Sequence, residues 1–313
     1  MSVTRLAWCV TFFPCNLPSS NSESVNVKKP SKTAQLGAAH RAYHFEHVSP
    51  LILEDSEAGW LVGPPLNAIL RFGPLRRLLF DRLLARVRPI STFVVVRSRY
   101  AEDCFEQLIE NDYRQYLILG AGLDSWALRN AVAGVSVIEL DHPATQQWKE
   151  SRIIARLGKL PSHLSFIPID FESESIVDVL GNQRFENDAL TFVSWLGTIY
   201  YLTPDAIKTV FVSLAKVCSP GSRIVFDYFE PKSAMSPEDL HLFEDIDQGG
   251  TRRGEPLQTL LASNEITELL QSAGFSIVED LSASEIRNRY LSNRSDGLDV
   301  PGFARLCCAE VLP

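Results

Sequence analysis

The run Gln115-Tyr-Leu-Ile-Leu-Gly-Ala-Gly-Leu-Asp-Ser125 constrains the fold more than any other stretch. Residues 116–119 are apolar throughout, as in a strand buried on both faces. They lead straight into Gly120-Ala121-Gly122, and a polar residue and a helical pattern follow. Strand, glycine turn, helix is how nucleotide-binding βαβ units begin. Glycine lets a ligand approach the backbone because no Cβ intervenes. The N–H groups that open the next helix have no partner within it. The next apolar run, 135–140, ends in Glu139 and Asp141. An acid about 20 residues beyond the first glycine is where such units hold a ribose hydroxyl. The stretch implies a nucleoside-cofactor site.

The alternation continues along the chain. Strands are expected at 116–119, 135–140, 164–169, 189–195, 222–228, 275–279 and 303–311. Helices are expected from Ser125 and at 144–157, 173–180, 204–217 and 256–272. Strands and helices in this alternation give a parallel sheet covered on both faces. Residues 281–302 carry Asn-Arg and Asp-Gly turn chemistry and no clear crossover helix. The last strand is therefore expected to enter antiparallel. The fold class that follows is α/β and Rossmann-like: a mostly parallel seven-stranded sheet with its last strand antiparallel, and a helical N-terminal cap.

Three segments are expected to form that cap, over residues 31–110. Thr33–Glu46 reads as a helix with Ala34, Ala38, Ala42 and Phe45 on one side. Leu66–Val87 reads as one long amphipathic pattern, with Leu70, Leu75, Leu78, Leu79 and Leu83 between arginines. Pro89–Glu110 reads as a third helix, with Arg97, Ser98 and Arg99 inside it. Residues 1–30 read as a flexible leader; residues 6–15 loosely resemble a signal peptide, interrupted by Pro14. Residues 111–313 form the expected cofactor-binding domain, with a polar, irregular insertion at about 230–255.

Composition narrows the partners. The net charge of −8 argues against nucleic acid, which attracts a basic face. The basic cluster Arg71 to Arg77, with Arg82, Arg86 and Arg88, reads as a solvated helix face. None of the six cysteines forms a CxxC pair, so neither a disulfide framework nor a metal site is expected, in keeping with a reducing cytoplasm. No apolar run approaches the roughly 18 residues of a membrane span, and no membrane partner is expected.

Gln115 to Ser125 also resembles the glycine motif of the leucine carboxyl methyltransferase-like group of S-adenosylmethionine-dependent methyltransferases. Four more stretches are similar to that family in the same order. They are the opening helix Thr33-Ala-Gln-Leu-Gly-Ala-Ala-His-Arg-Ala42, the arginine motif Arg97-Ser-Arg-Tyr-Ala-Glu-Asp103, the strand end Ile138-Glu-Leu-Asp-His-Pro143, and Trp195-Leu-Gly-Thr-Ile-Tyr-Tyr-Leu-Thr203. Related bacterial and fungal enzymes are often assigned to O-methylation of polyketides or other small molecules. The resemblance implies S-adenosyl-L-methionine as cofactor and a small-molecule methyl acceptor. It implies that Arg97 pairs with the methionine carboxylate and that Gly120, Ala121 and Gly122 let the backbone approach that end. Asp141 would hold the ribose hydroxyls with Glu139 close by. Asp170 and the backbone at Phe171 would contact the adenine, and Trp195 to Gly197 would line the floor near the sulfonium. Many members carry Glu where this chain has Leu196. Arg129 keeps a common family feature.

Other readings of the same residues stay open. Arg97 has Glu102 and Asp103 on its own helix as alternative partners, Asp141 precedes a helix it could cap, and Asp170 suits a strand-end turn. Candidate bases are His44, His142, His163 and His241, and no catalytic residue is assigned. Tyr200 and Tyr201 read as core or pocket wall. A nicotinamide-dependent oxidoreductase is the rival enzyme, opposed by the missing third glycine of GxGxxG. A non-catalytic cofactor-binding protein of the same fold is the other alternative, motivated by Leu196.

Overall fold

The computed structural model describes residues 31–83, 85–181 and 185–313, so the leader at 1–30 lies outside the described residues. Seven strands form one sheet: β1 Gln115–Leu119, β2 Ser136–Asp141, β3 Leu164–Pro168, β4 Thr191–Trp195, β5 Arg223–Phe229, β6 Phe275–Leu281 and β7 Ala304–Val311. Their order is β3-β2-β1-β4-β5-β7-β6. The first five are parallel, and β7 runs antiparallel between β5 and β6. The expected reversal of the last strand is what the structure shows. The chain order turns back between β1 and β4, which opens a crevice at their carboxyl ends.

The period-two alternation of the strands divides the core between two faces. Leu117, Leu119, Ile138, Val193, Trp195, Ile224 and Phe226 face the helices Pro204–Val217 and Ser263–Ala273. Tyr116, Ile118, Val137, Phe192 and Val225 face the helices Arg88–Leu108 and Ala283–Tyr290. The opening helix, Lys32–His47, packs against Arg88–Leu108 at the carboxyl side of the crevice.

Several local expectations change. The pattern over 66–87 is not one helix. Pro64–Arg71 ends at Phe72, and a turn Gly73–Arg76, a wide turn Arg77–Leu83 and a tight turn Ala85–Val87 follow. Pro74 has no N–H to continue the ladder, and its ring clashes with the carbonyl four residues back. The insertion at 230–255 is not irregular, for Pro237–Arg253 is a helix. Ser236 Oγ accepts the Asp239 N–H at 3.1 Å, Pro237 occupies the first turn, and Gly254 closes the helix at φ +84°. Its polar surface hid these end signals. The helix expected over 256–272 starts only at Ser263. Residues ahead of it donate to other segments instead, Gln258 N to Tyr200 O at 2.8 Å and Leu261 N to Phe229 O at 3.0 Å. Finally, 281–302 contains the helix Ala283–Tyr290, opened by a Ser282–Glu285 capping box, and the helix after Ser125 is a single turn, Trp126–Arg129. Of the residues expected on one side of the opening helix, Ala38 and Ala42 are buried and Phe45 is 36% exposed.

Among the described residues no helix is long and apolar enough to cross a membrane. Cys104, Cys218, Cys307 and Cys308 are free thiols. The Phe211 ring holds one face together, meeting Trp195, Phe226 and Phe275 edge-on at 5.2–5.9 Å. Phe211→Ala is expected to lower unfolding free energy by about 3–5 kcal/mol, read as an earlier urea midpoint at unchanged slope.

Candidate active site

The crevice between β1 and β4 is walled by residues from five parts of the chain. Gly120 and Gly122 follow β1 with φ of +59° and +51°, a region that side chains rarely enter. A Cβ on Gly120 would strike the Thr198 side chain beyond β4, and one on Gly122 would lie 3.1 Å from Ala34 Cβ in the opening helix. Ala121 N donates to Leu140 O at 3.2 Å, which ties the turn to β2. At the end of β2, Asp141 accepts the Gly122 and His142 N–H groups. Burial raises the Asp141 pKa, and those two backbone donors oppose the rise.

Arg97 comes in from the helix on the opposite wall. Its Nη1 donates to Tyr200 Oη at 2.7 Å and to Asp227 Oδ2 at 3.0 Å. It does not pair with Glu102 or Asp103, which take Arg129 and Arg99. Asp227, in β5, is fully buried and also accepts the Gly197 N–H. Gly197 has φ +72°, and a Cβ there would lie 2.7 Å from Arg97 Cζ. Burial disfavours the Arg97 charge, but Asp227 and Tyr200 outweigh it and raise the pKa. Thus Asp141–Gly122 and Gly120–Thr198–Gly197–Arg97–Asp227 form one connected rim.

The other expected residues sit around this rim. Glu139 is 1% exposed and pairs with the equally buried Lys149, while its second oxygen has no partner. Burial pushes its pKa up to about 7 against the pull of Lys149. Asp170 is exposed, and its Oδ1 accepts Glu172 N at 3.1 Å, which is strand-end turn chemistry. Phe171 is half-buried, with its ring 6.3 Å from that of Trp195. The Trp195 indole is fully buried on the opposite face of the sheet from Arg97, and its Nε1 has no partner. Only the backbone of Trp195 reaches the rim.

Residues 34–215 match the leucine carboxyl methyltransferase family. YktD of Bacillus subtilis (strain 168), assigned as an S-adenosyl-L-methionine-dependent methyltransferase, is 32% identical over 286 residues, 86% of this chain and 93% of its own. A Mycobacterium marinum protein with the same assignment is 32% identical over 223 residues, 68% of this chain and 71% of its own. A solved structure from Thermobifida fusca, described as a methyltransferase, superposes with a TM-score of 0.58 at 14% identity, covering 91% of this chain and 96% of that one. This chain belongs to the leucine carboxyl methyltransferase family.

Set against the family pattern, Leu196 is a half-buried side chain packed on the core. Among the described residues no group of three or more His, Cys, Asp or Glu side chains is arranged to hold a metal ion. Each candidate base has a structural role or lies outside. His44 Nε2 accepts Ile52 N at 2.8 Å, His142 Nδ1 accepts Ala144 N at 3.3 Å, a His163 ring nitrogen lies 2.9 Å from Ala127 O, and His241 is exposed.

Two residues of the site were not singled out from the sequence. Asp227 was visible as a lone acid in the apolar strand Ile224-Val-Phe-Asp-Tyr-Phe229, a placement that requires a partner. His40 gave no such signal. It is buried with Nδ1 unpartnered, and burial with the nearby charges of Arg97, Arg41 and Arg253 lowers its pKa to about 4. It is therefore neutral at physiological pH.

Removing one partner of a buried ion pair strands the other. Asp227→Ala is expected to cost about 3–5 kcal/mol of stability by chemical denaturation. A second expectation concerns acid. His44 is held neutral, its pKa lowered to about 4 by burial and by Arg294. The unfolded chain, with His near 6.5, takes up that proton more readily, so stability present above pH 6.5 is lost as pH falls toward 4. His44→Gln should flatten the stability–pH curve over that window, measured by urea midpoints at stepped pH.

Proposed function

We propose that this chain transfers the methyl group of S-adenosyl-L-methionine to an oxygen, carboxylate or hydroxyl, of a small metabolite. The coarser part follows from family membership: the chain is an S-adenosyl-L-methionine-dependent methyltransferase. The oxygen acceptor, and a polyketide-type product as its class, are our reading, as is a cytoplasmic setting for a chain with four free thiols among its described residues. The observation that carries the reading is the connected rim, which brings an acid, two positive-φ glycines and a paired arginine to the sheet's switch point.

The residues fit the cofactor. A Cβ at Gly120, Gly122 or Gly197 would fill the cradle, so the site requires bare backbone there. Asp141, with two backbone donors on its carboxylate, is suited to exchange them for ribose hydroxyls. Arg97, held by Asp227 from behind, is suited to the amino-acid carboxylate, and Asp170 with the Phe171 backbone to the adenine. When bound, the sulfonium supplies an electrophilic methyl group. The protein's part is to hold the acceptor in line and keep water out, worth roughly 7–11 kcal/mol of the barrier. A carboxylate acceptor needs no base. For a hydroxyl acceptor, neutral His40 is suited to receive its hydrogen bond, since its Nδ1 is unpartnered.

We read residues 31–110 as a cap and 111–313 as the cofactor-binding domain, with the acceptor between the cap and the 230–255 segment. Two contacts support that placement: Thr33 in the opening helix bonds to Glu255, and Ala34 abuts Gly122. Leu196 and the apolar cap suit a hydrophobic acceptor better than a protein carboxyl terminus. Isothermal titration should give S-adenosylmethionine and its demethylated product measurable affinity and NADPH none. Asp141→Ala should weaken that binding by at least about tenfold, or about 1.4 kcal/mol. NADPH binding without S-adenosylmethionine binding would revive the oxidoreductase reading. Labelled cofactor incubated with a metabolite extract should label a small organic acid or alcohol, and label on nitrogen or on protein alone would sink the oxygen assignment.

A further inference from the structure

The broken helical segment 64–88 carries both positive charge and exposed apolar surface. Six arginines, Arg71, Arg76, Arg77, Arg82, Arg86 and Arg88, stand against one acid, Asp81, in a protein whose net charge is −8. Five of the six are exposed, and none forms an ion pair with a described carboxylate. Between them Phe72, Leu75 and Leu78 are 57%, 47% and 49% exposed. Phe72 ends the helix Pro64–Arg71 in an extended conformation, and Leu75 and Leu78 follow in the turns Gly73–Arg76 and Arg77–Leu83, all three turned to solvent. The opposite side is occupied: Phe80 stacks on Tyr43 at 4.7 Å and meets His40 edge-on at 6.1 Å. The segment thus has a committed inner face and an outer face of large apolar groups set among arginines that, among the described residues, have no carboxylate partner, although Arg76 meets His47 and Arg88 donates to Asp296 O. The sequence reads as a solvated face, and Phe72, Leu75 and Leu78 are indeed exposed there beside the arginines.

We propose that this outer face docks on an anionic lipid surface, with Phe72, Leu75 and Leu78 entering the headgroup–acyl boundary and the arginines pairing with lipid phosphates. Interfacial helices are built this way, with bulky apolar side chains on one face and arginine beside them. The charge argues for this occupant over others. A second copy presenting the same face would oppose its arginines to like charges. A nucleic acid would pair with the arginines but leave three large apolar side chains against its phosphates. An anionic bilayer satisfies both groups at once, and each basic side chain near such a surface adds to the attraction. The proposal is independent of the acceptor's identity.

The test is co-sedimentation of the full chain with phosphatidylcholine vesicles, with and without phosphatidylglycerol. Binding is expected only with phosphatidylglycerol, and should fall as salt rises. Two variants separate the parts: Phe72→Ser with Leu75→Ser and Leu78→Ser, and Arg71→Glu with Arg77→Glu and Arg82→Glu. All six positions are exposed, so thermal midpoints should hold, and each variant should lose at least about tenfold in vesicle binding. Failure of the wild type to bind phosphatidylglycerol vesicles overturns the proposal. So does binding that both variants retain, or a wild-type dimer in light scattering that the serine variant abolishes while vesicle binding is unchanged. Binding to duplex DNA in place of vesicles overturns it too.

Discussion

The site depends on one buried ion pair. Arg97 reaches across the crevice from its helix to Asp227 in β5, and the pair closes only because Gly197 has no side chain. Burying both charges costs several kcal/mol per ion before they attract one another. The remaining polar atoms offset that cost, because Asp227 also accepts the Gly197 N–H and Arg97 also donates to Tyr200. Tyr200 is in turn fixed by stacking on Phe229 at 4.2 Å. The guanidinium is held by β5, the loop after β4 and an aromatic stack together.

A second polar network ties the opening helix to the glycine turn. Arg41 in the opening helix pairs with Asp55 at 2.7 Å and donates to Leu123 O at 2.6 Å, one residue past Gly122. Asp55 also faces Arg129, which grips Glu102 and donates to Glu54 O at 3.0 Å. Burial would raise the Asp55 pKa, but the two arginines hold it below the ordinary carboxylate range. The opening helix is thereby joined to the loop that the proposed cofactor would meet. Glu139 and Lys149 make a third buried pair, beneath Asp141. With one Glu139 oxygen unpartnered, the pair is incompletely satisfied, and its carboxyl is correspondingly hard to ionise.

These networks limit what each motif does. Asp141 meets Gly122 directly, so the turn is set by side chain as well as by sequence. Glu139, two residues earlier in the same strand, points into protein and has its own cation. Trp195 and Leu196, adjacent in one motif, divide between two cores because a strand sends successive side chains to opposite faces. Spacing along a motif therefore does not decide which of its members face a ligand.

The sequence by itself determined the sheet, the reversal of its last strand and the glycine turn with Asp141 beyond it. Those follow from apolar periodicity, from turn chemistry and from the conformational freedom of Gly120 and Gly122, all of which are local. It also held the ends of the Pro237–Arg253 helix, in Ser236-Pro237 and Gly254, although the polar surface masked them. Only the tertiary structure decided that Arg97 answers to Asp227, 130 positions away, that His40 is buried neutral among three arginines, and that Phe72, Leu75 and Leu78 face outward. Partners so distant in sequence are chosen by the packing of helices on the sheet, and no local pattern encodes that.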